Sequence, residues 1–352
     1  MRAILLAGGK GTRLRPLTLH TPKPIVPIFD RPFLRYQIDL LRQVPDIDEI
    51  VLSLNYQPGR IEEVFGDGSA LGVRVRYVVE PMPLGTGGAI RFAAGEQLDD
   101  PIVVFNGDVF TSVDLREVIR LHRERRARAT IVLTPVDNPS AYGLVRTDRD
   151  GNVLEFLEKP SAEQASACNT INAGIYVIEP ETLQRIPRDT PFSIERGYFP
   201  SLVQNGETFV ALTSEGYWID IGTPDKYRQA HRDIMDGRFV AAPFGEGSAR
   251  TCISADARID EQVTIEAPCF IDRGAVIKRG AKIGAYSVIG HDCHVDEDAV
   301  IDGAIVWPNS WIDREASVGA IIAGRHCHFG RNVEVDSGVF GDKSVVTDYS
   351  KA

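Results

Sequence analysis

Three spacings of apolar residues follow one another along this chain. In the first 128 residues, short apolar runs alternate with helical stripes. Residues 3–7 form an apolar run that reads as a buried strand and stops at Gly8, Gly9 and Gly11. Leu34, Ile38 and Leu41 then share one helical face over residues 33–43, and residues 49–54 read as a second strand. After a helical patch at 61–65 and a Gly66-Asp67-Gly68 turn, Val73, Val75 and Tyr77 alternate as a third strand. A further strand at 102–105 lies between helical runs at 90–94 and 115–128. This β-α-β rhythm predicts an α/β, Rossmann-like domain with a mainly parallel sheet, whose ligands bind outside the carboxyl ends of the strands. From Ala129 strands dominate, at 130–134, 143–147, 153–157 and 171–178, which makes the sheet mixed, and a helix is predicted over 224–235.

Beyond residue 250 the spacing becomes six. Ile253, Ile259, Ile265, Ile271, Ile277, Ile283, Ile289, Val295 and Ile301 recur at that interval, and small residues such as Ala257, Cys269, Ser287 and Cys293 stand four positions after members of the series. Such a period predicts a parallel β-helix, three hexapeptides to a coil of roughly 18 residues, with aliphatic side chains stacked inside and small ones at the corners. The period breaks at Trp307-Pro308, where a loop is expected to bulge out, and resumes at Ile312, Val318, Phe329 and Val335. The predicted organisation is a first domain over 1–236, a Gly-, Ala- and Pro-rich linker over 237–250, and the coil over 251–346.

A chain of 352 residues is long enough for two such cores. Its 39 Lys and Arg against 49 Asp and Glu leave a net charge of −10, which argues against nucleic acid and anionic membranes as partners and makes any cationic site a local one. The opening apolar run is too short for a signal-peptide core and no window approaches a membrane span, so a cytoplasmic protein is expected. Five dispersed cysteines without a Cys-x-x-Cys pair fit neither a disulfide framework nor a zinc site. Cys269 and Cys293 fall at corner positions and are expected to be buried, inert side chains. His291, His294, His326 and His328 alternate with Asp292, Asp296 and Arg325, a pattern of outward-facing coil surface.

Candidate chemistry gathers in the first domain. Leu6, Ala7, Gly8, Gly9, Gly11 and Thr12 form a strand-to-glycine turn that lets backbone N–H groups approach a phosphate. Arg13, Arg15 and Lys23 stand behind it, with Pro22 and Pro24 stiffening the segment around the lysine. The spacing is neither that of a Walker loop nor that of the dinucleotide fingerprint. A second glycine-rich turn, Glu80-Pro-Met-Pro-Leu-Gly85-Thr86-Gly-Gly, follows the third strand. Asp108 follows an apolar strand, where a Mg²⁺ ligand belongs in an α/β phosphoryl-transfer site, although an Asp after Gly also serves as a turn or helix cap. Asp220 follows a short apolar strand, where it could equally cap the turn into the next helix.

Taken whole, Leu-Ala-Gly-Gly-x-Gly-Thr-Arg-Leu-x-Pro-Leu-Thr followed by Pro-Lys-Pro resembles the signature of the nucleotide-sugar pyrophosphorylases, or sugar-1-phosphate nucleotidyltransferases. The resemblance extends to Tyr142-Gly143, Glu158-Lys159-Pro160, Asn172-Ala-Gly-Ile-Tyr and Asp220-Ile-Gly-Thr-Pro, and so covers nearly the whole chain. It implies that Arg13 and Lys23 contact the triphosphate and departing pyrophosphate, that Glu80, Gly85 and Thr86 lie at the base, and that Asp108 and Asp220 hold Mg²⁺. Gly143, Glu158, Lys159 and Asn172 would bind the sugar phosphate. Leu-Gly-Thr-Gly-Gly resembles members that use GTP, which implies GTP and mannose 1-phosphate as substrates. Thymidylyl or uridylyl transfer to glucose 1-phosphate, or a bifunctional uridylyl and acetyl transferase, are the alternatives. The resemblance also implies a left-handed coil, and the open β-edges at the ends of so short a solenoid are expected to be covered by the first domain or a second subunit, which makes it a scaffold for a homo-oligomer. A glycosyltransferase would be expected to carry an Asp-x-Asp motif, and only Asp108 stands at that place.

Overall fold

In the computed structural model, residues 1–96, 100–139, 142–157, 169–245 and 250–351 are described. The first part of the chain runs through β1 (Arg2–Leu6), the hairpin strands β2 (Pro27–Ile28) and β3 (Arg31–Pro32), α1 (Phe33–Leu41), β4 (Glu49–Leu54), α2 (Pro58–Phe65), β5 (Arg74–Val79) and α3 (Gly85–Ala94). Next come β6 (Ile102–Asn106), β7 (Val109–Thr111), α4 (Leu115–Arg125), β8 (Ala129–Pro135), β9 (Leu144–Thr147), β10 (Val153–Leu157) and β11 (Thr170–Ile178). The helix α5 (Phe199–Gln204), strands β12 (Phe209–Thr213) and β13 (Trp218–Asp220) and helix α6 (Pro224–Met235) lead to the coil. By its contacts the chain divides into two compact units: Met1–Gly9 with Leu34–Asp220, and Lys10–Phe33 with Ile221–Ala352.

The first unit is built on β1. Ala3, Ile4 and Leu5 are fully buried, because β1 lies between β4 and β6, parallel to both, and helices cover the faces. Beyond β4, β5 continues the parallel part, and on the other side β11 joins β6 antiparallel, carrying β9 and β10 in turn. Ile90, Ala93 and Ala94 of α3 share a core cluster with Ile4, Val51 and Val104. Helix α4 is capped by Asp114, whose carboxylate accepts from Arg116 N at 3.0 Å. It ends at Arg125 instead of residue 128, since Arg126 takes a left-handed conformation (φ 48°) that closes the helix.

In the second unit, the six-residue period becomes three columns of parallel two- and three-residue strands. Ile253 pairs with Ile271 and Ile271 with Ile289, an 18-residue coil. Ile271, Ile277, Ile283, Ile289 and Val295 stack fully buried inside. No bulge occurs at Trp307. Its N–H stays in the ladder, donating to Ala323 O at 2.9 Å, and the residue is 1% exposed. What breaks the period is the loss of one residue: Ile289 pairs with Val306 and Ile301 with Val318, so each coil from there takes 17 residues. Two faces then run together in the seven-residue strands Ser317–Ala323 and Glu334–Phe340.

Small polar residues close the corners. Ser287, Cys293, Ser310 and Cys327 each donate to the carbonyl fourteen residues on, at 3.3, 3.3, 3.1 and 3.2 Å. Burial pushes the Cys293 thiol up to about 12 and those of Cys269 and Cys327 to about 11, so these cysteines are structural. The coil histidines His291, His294, His326 and His328 lie at partly or fully exposed positions. His294 stacks on Trp311 with ring centroids 4.1 Å apart, and His328 meets Asp313 at 3.0 Å. The arm Lys10–Phe33 belongs to this unit, its Phe29 ring set among His231, Phe244 and Phe270 at 4.8, 5.2 and 5.2 Å.

Candidate active site

Within the first unit the chain leaves β1 through Ala7, whose N–H donates to Ser53 O at 2.9 Å, and reaches Gly8. A Cβ on Gly8 would lie 3.1 Å from Asn55 N and 3.2 Å from Glu80 Oε1, so only glycine fits comfortably between the ends of β4 and β5. Glu80 is 8% exposed and joins three segments: its carboxylate accepts from Ser53 Oγ at 3.1 Å and from Leu84 N at 2.9 Å, and it abuts Gly8. Gly85 follows with φ +68°, where an added Cβ would meet Phe192 O at 2.9 Å. That same carbonyl accepts from Gly87 N and Gly88 N at 2.9 and 3.1 Å. The Thr86 hydroxyl accepts from Ile194 N at 3.0 Å and donates to Glu195 at 2.7 Å. The first turn of α3 is thus docked on residues 192–195, and Gly85 is the part of it left exposed.

Asp108 lies in the turn between β6 and β7. The preceding Gly107 donates to Leu6 O at 3.0 Å, and a Cβ on it would come within 2.4 Å of that oxygen, so the turn packs directly on the end of β1. β7 pairs antiparallel with β13, setting Asp220 opposite Val109, the neighbour of Asp108. Two carboxylates 112 residues apart are therefore carried to one end of a two-stranded ribbon. Asp220 is 8% exposed and accepts from Tyr142 OH at 2.9 Å, while the Trp218 ring meets the Tyr142 ring edge-on at 5.6 Å. From α1, Gln37 Nε2 donates to both Asn106 O and Val109 O, at 2.9 and 2.8 Å, and so clamps the turn that carries Asp108.

The sugar-side residues join the same network. Asn172 N donates to Gly143 O at 3.0 Å, its Oδ1 accepts from Gly174 N and its Nδ2 donates to Tyr176 OH, both at 2.8 Å. These bonds sit in a register shift of β11 against β8 between Asn172 and Tyr176. Gly174 in turn lies against the Asn106 side chain, two residues before Asp108. Leu6, Ala7, Gly8, Glu80, Asp108, Gly143, Asn172 and Asp220 are thereby linked through one set of contacts. Glu158 and Lys159 lie outside the described residues.

Gly11, Thr12, Arg13 and Lys23 belong to the second unit. Gly11 takes φ +60° and starts a 3-10 turn over Thr12–Leu14, with Leu14 N donating to Gly11 O at 3.0 Å. The Thr18 hydroxyl donates to the same carbonyl at 2.7 Å. A Cβ on Gly11 would be 3.2 Å from Lys23 Cβ, so the arm folds back and brings the two ends of the signature together. Arg13 is exposed and Lys23 is 8% exposed.

Among the described residues no group of three or more His, Cys, Asp or Glu side chains is placed to hold an ion. Mg²⁺ needs no such group, since it is held by one or two carboxylates together with phosphate oxygens and waters. The residues at the ribbon end fit it: the donors are all oxygen, and Asn106 Oδ1, beside the Asp108 turn, is buried without a hydrogen-bond partner among the described residues.

Sequence reasoning missed Gln37, Ser53 and the role of Tyr142 as a partner of Asp220. Gln37 carried a signal, being a polar residue three positions from Leu34 and four from Leu41 on an otherwise apolar helical stripe.

Residues 2–237 match the nucleotidyl transferase family, and residues 265–350 match the GMPPB C-terminal domain. The chain belongs to the nucleotide-sugar pyrophosphorylase family, whose members transfer a nucleotidyl group from a nucleoside triphosphate to a sugar 1-phosphate with the help of a divalent cation. Within it, the chain is similar to the mannose-1-phosphate guanylyltransferase of Mycobacterium tuberculosis, 36% identical over 316 residues that cover 89% of this chain and 83% of that one. It is 34% identical to a UTP–glucose-1-phosphate uridylyltransferase of Synechocystis over 93% of this chain and 88% of that one. Among solved structures, HddC from Yersinia pseudotuberculosis, also solved complexed with GMP-PN, is 30% identical with a TM-score of 0.56, over 66% of this chain and 99% of that one. No helix among the described residues is long and apolar enough to cross a membrane.

Proposed function

We propose that the chain joins GTP to mannose 1-phosphate, releasing pyrophosphate. The observation that carries the transfer chemistry is the pairing of Asp220 with Val109, which sets Asp108 and Asp220 at one ribbon end beside β1. A phosphate oxygen of the sugar 1-phosphate attacks the α-phosphorus in line, a bond forms between them, and the bond to the β-phosphate oxygen breaks. The nucleophile is already an anion, so no covalent enzyme intermediate is needed. Lys159, with Glu158, Gly143 and Asn172, positions the sugar phosphate, while Arg13 and Lys23 neutralise charge on the departing pyrophosphate. Asp108 and Asp220 would hold the divalent cation, which would supply charge neutralisation for the transfer. The backbone from Leu6 to Thr12 holds the phosphates, and Glu80 places Gly85 and Thr86 for the base.

The choice of GTP and mannose rests on the Leu84-Gly85-Thr86-Gly87-Gly88 wording and on the guanylyltransferase relatives. The uridylyltransferase relative favours UTP and glucose 1-phosphate as the second reading. A matrix of four nucleoside triphosphates against several sugar 1-phosphates, read by pyrophosphate release, decides between them. GTP with mannose 1-phosphate is expected to give the highest kcat/KM, and a preference for UTP with glucose 1-phosphate would replace the substrate assignment while leaving the reaction. We take the protein as cytoplasmic, the coil as left-handed, and the coil's role as assembly of a homo-oligomer, to be read by light scattering.

A further inference from the structure

The arm that carries Arg13 and Lys23 is fixed within the second unit at three places. Phe29 is packed among His231, Phe244 and Phe270, and its N–H donates to His231 Nε2 at 3.4 Å. Pro16 lies against Gly341 near the far end of the coil, where a Cβ on the glycine would come within 3.1 Å of Pro16 Cβ. Between these, the Tyr227 hydroxyl donates to Pro27 O and accepts from Trp307 Nε1 at 3.0 Å. Tyr227 and Trp307 are each 1% exposed, so that one oxygen serves a buried carbonyl of the arm and a buried N–H of the coil at once.

Pro27 is four residues from Lys23, and the intervening chain is stiff. Pro22, Pro24 and Pro27 restrict it, Val26 N donates to Lys23 O at 3.2 Å, and Phe33 N donates to Val26 O at 2.9 Å. Lys23 Cβ in turn faces Gly11, the first residue of the turn that presents Arg13. A shift at Pro27 therefore has a short, rigid path to both cations.

We propose that Tyr227 and Trp307 are positioning residues for nucleotidyl transfer: the hydroxyl relay from the coil through α6 to Pro27 sets the arm in the conformation that binds the triphosphate and pyrophosphate. This rests on the reading of Arg13 and Lys23 as the cations that meet those groups. It gives the coil a part in the chemistry as well as in assembly, without any coil residue touching substrate.

The test uses the full-length chain with Tyr227→Phe and Trp307→Phe. Tyr227→Phe keeps the ring and strips both partners, whereas Trp307→Phe leaves the Tyr227 bond to Pro27. Loss of one or two hydrogen bonds at an anchor translates to about tenfold in ligand affinity. In Tyr227→Phe the KM values for nucleoside triphosphate and, in the reverse direction, for pyrophosphate should rise together by about tenfold, with the KM for sugar 1-phosphate within about twofold of the parent. Trp307→Phe should move the same two constants less. Hydrogen exchange at Val26 and Phe33 should quicken in the same order. A fall in kcat alone with all KM values unchanged would mark a merely structural loss of folded enzyme and overturn the proposal. Should the parent chain transfer no nucleotide to any sugar phosphate, the reading of Arg13 and Lys23 fails by itself. Exchange then still decides the coupling, since unchanged protection of Val26 and Phe33 in Tyr227→Phe would refute it.

Discussion

The two units satisfy buried polar groups in opposite ways. In the sheet unit each solution occurs once and draws on distant segments: Gln37 serves the turn after β6, Glu80 gathers the ends of β1 and β4 with the start of α3, and Tyr142 serves Asp220. In the coil the same solution recurs, as Ser287, Cys293, Ser310 and Cys327 each reach a carbonyl fourteen residues ahead. A solenoid spreads its stability over near-identical neighbours, so no one corner decides the fold. The sheet unit concentrates its singular contacts where β1, β6 and the ribbon end meet, and one substitution there should be felt in catalysis.

The largest effect that would break this contrast is expected at the ribbon end. Asp108→Asn and Asp220→Asn should each lower kcat by about 10² to 10³, the scale of one electrostatic contact at a reacting centre, with little change in Tm. Turnover near that of the parent in either variant would remove the two-aspartate metal site. Acid stability sharpens the comparison next, because each unit holds one buried histidine. Burial depresses His122 in the sheet unit and His231 in the coil unit from 6.5 to about 4. Both stay neutral in the folded protein while the unfolded chain takes up protons first, so their share of stability is full above pH 6.5 and is lost as the pH falls toward 4. Each loss amounts to about 3 kcal/mol at most. Urea unfolding between pH 7 and 4.5 should show this decline, and His122→Gln should flatten one part of it; a flat parent profile would contradict the burial of both rings.

A matched pair of glycines gives a smaller, sharper test. Gly85 and Gly280 both have positive φ, but a Cβ at Gly85 meets the fixed Phe192 carbonyl, whereas at Gly280 it meets the Asp298 carboxylate, a side-chain end that can turn away. Gly85→Ala should lower Tm and raise the KM for nucleoside triphosphate, while Gly280→Ala should lower stability by about 1–2 kcal/mol and leave kinetics alone. The smallest effect is expected at a corner. Cys293→Ala removes one weak thiol donor and should cost about 1 kcal/mol in urea unfolding, with unchanged activity; a loss of several kcal/mol would mean that corners are not interchangeable.

The same contrast governs what could be read from residues alone. A coil announces itself because every sixth residue repeats one environment, and Ile271 through Ile301 stack inside as their spacing predicts, whereas in the first coil Ile259 and Ile265 are only partly buried and Ile253 is 40% exposed. The error at Trp307 arose because losing one residue from a coil and inserting a loop both disturb the period. Most strands of the sheet unit were legible from their apolar runs, but β7, only three residues long, and β12 were not expected. The contacts that join Gly8 to Glu80, or Gln37 to the Asp108 turn, were not legible, since a polar residue on an apolar stripe signals burial of Gln37 but not which two carbonyls it meets. Least legible was the affiliation of the arm: Phe29 and Phe270 are 241 residues apart, and a sequence motif read as one continuous string divides between two bodies after Gly9.

That division has a consequence for anyone recombining this chain with a relative. The linker after residue 236 is the crossover point that composition invites, yet a chimaera joined there would place a foreign coil against a native arm and mismatch Pro16 with Gly341 and Phe29 with Phe270. Exchanging residues 34–220 as a cassette, with both junctions in the donor's frame, keeps every one of those partners from a single parent. If Glu80, Gly85 and Asn172 act as proposed, substrate preference would then travel with the insert, while the recipient retains its own Arg13 and Lys23.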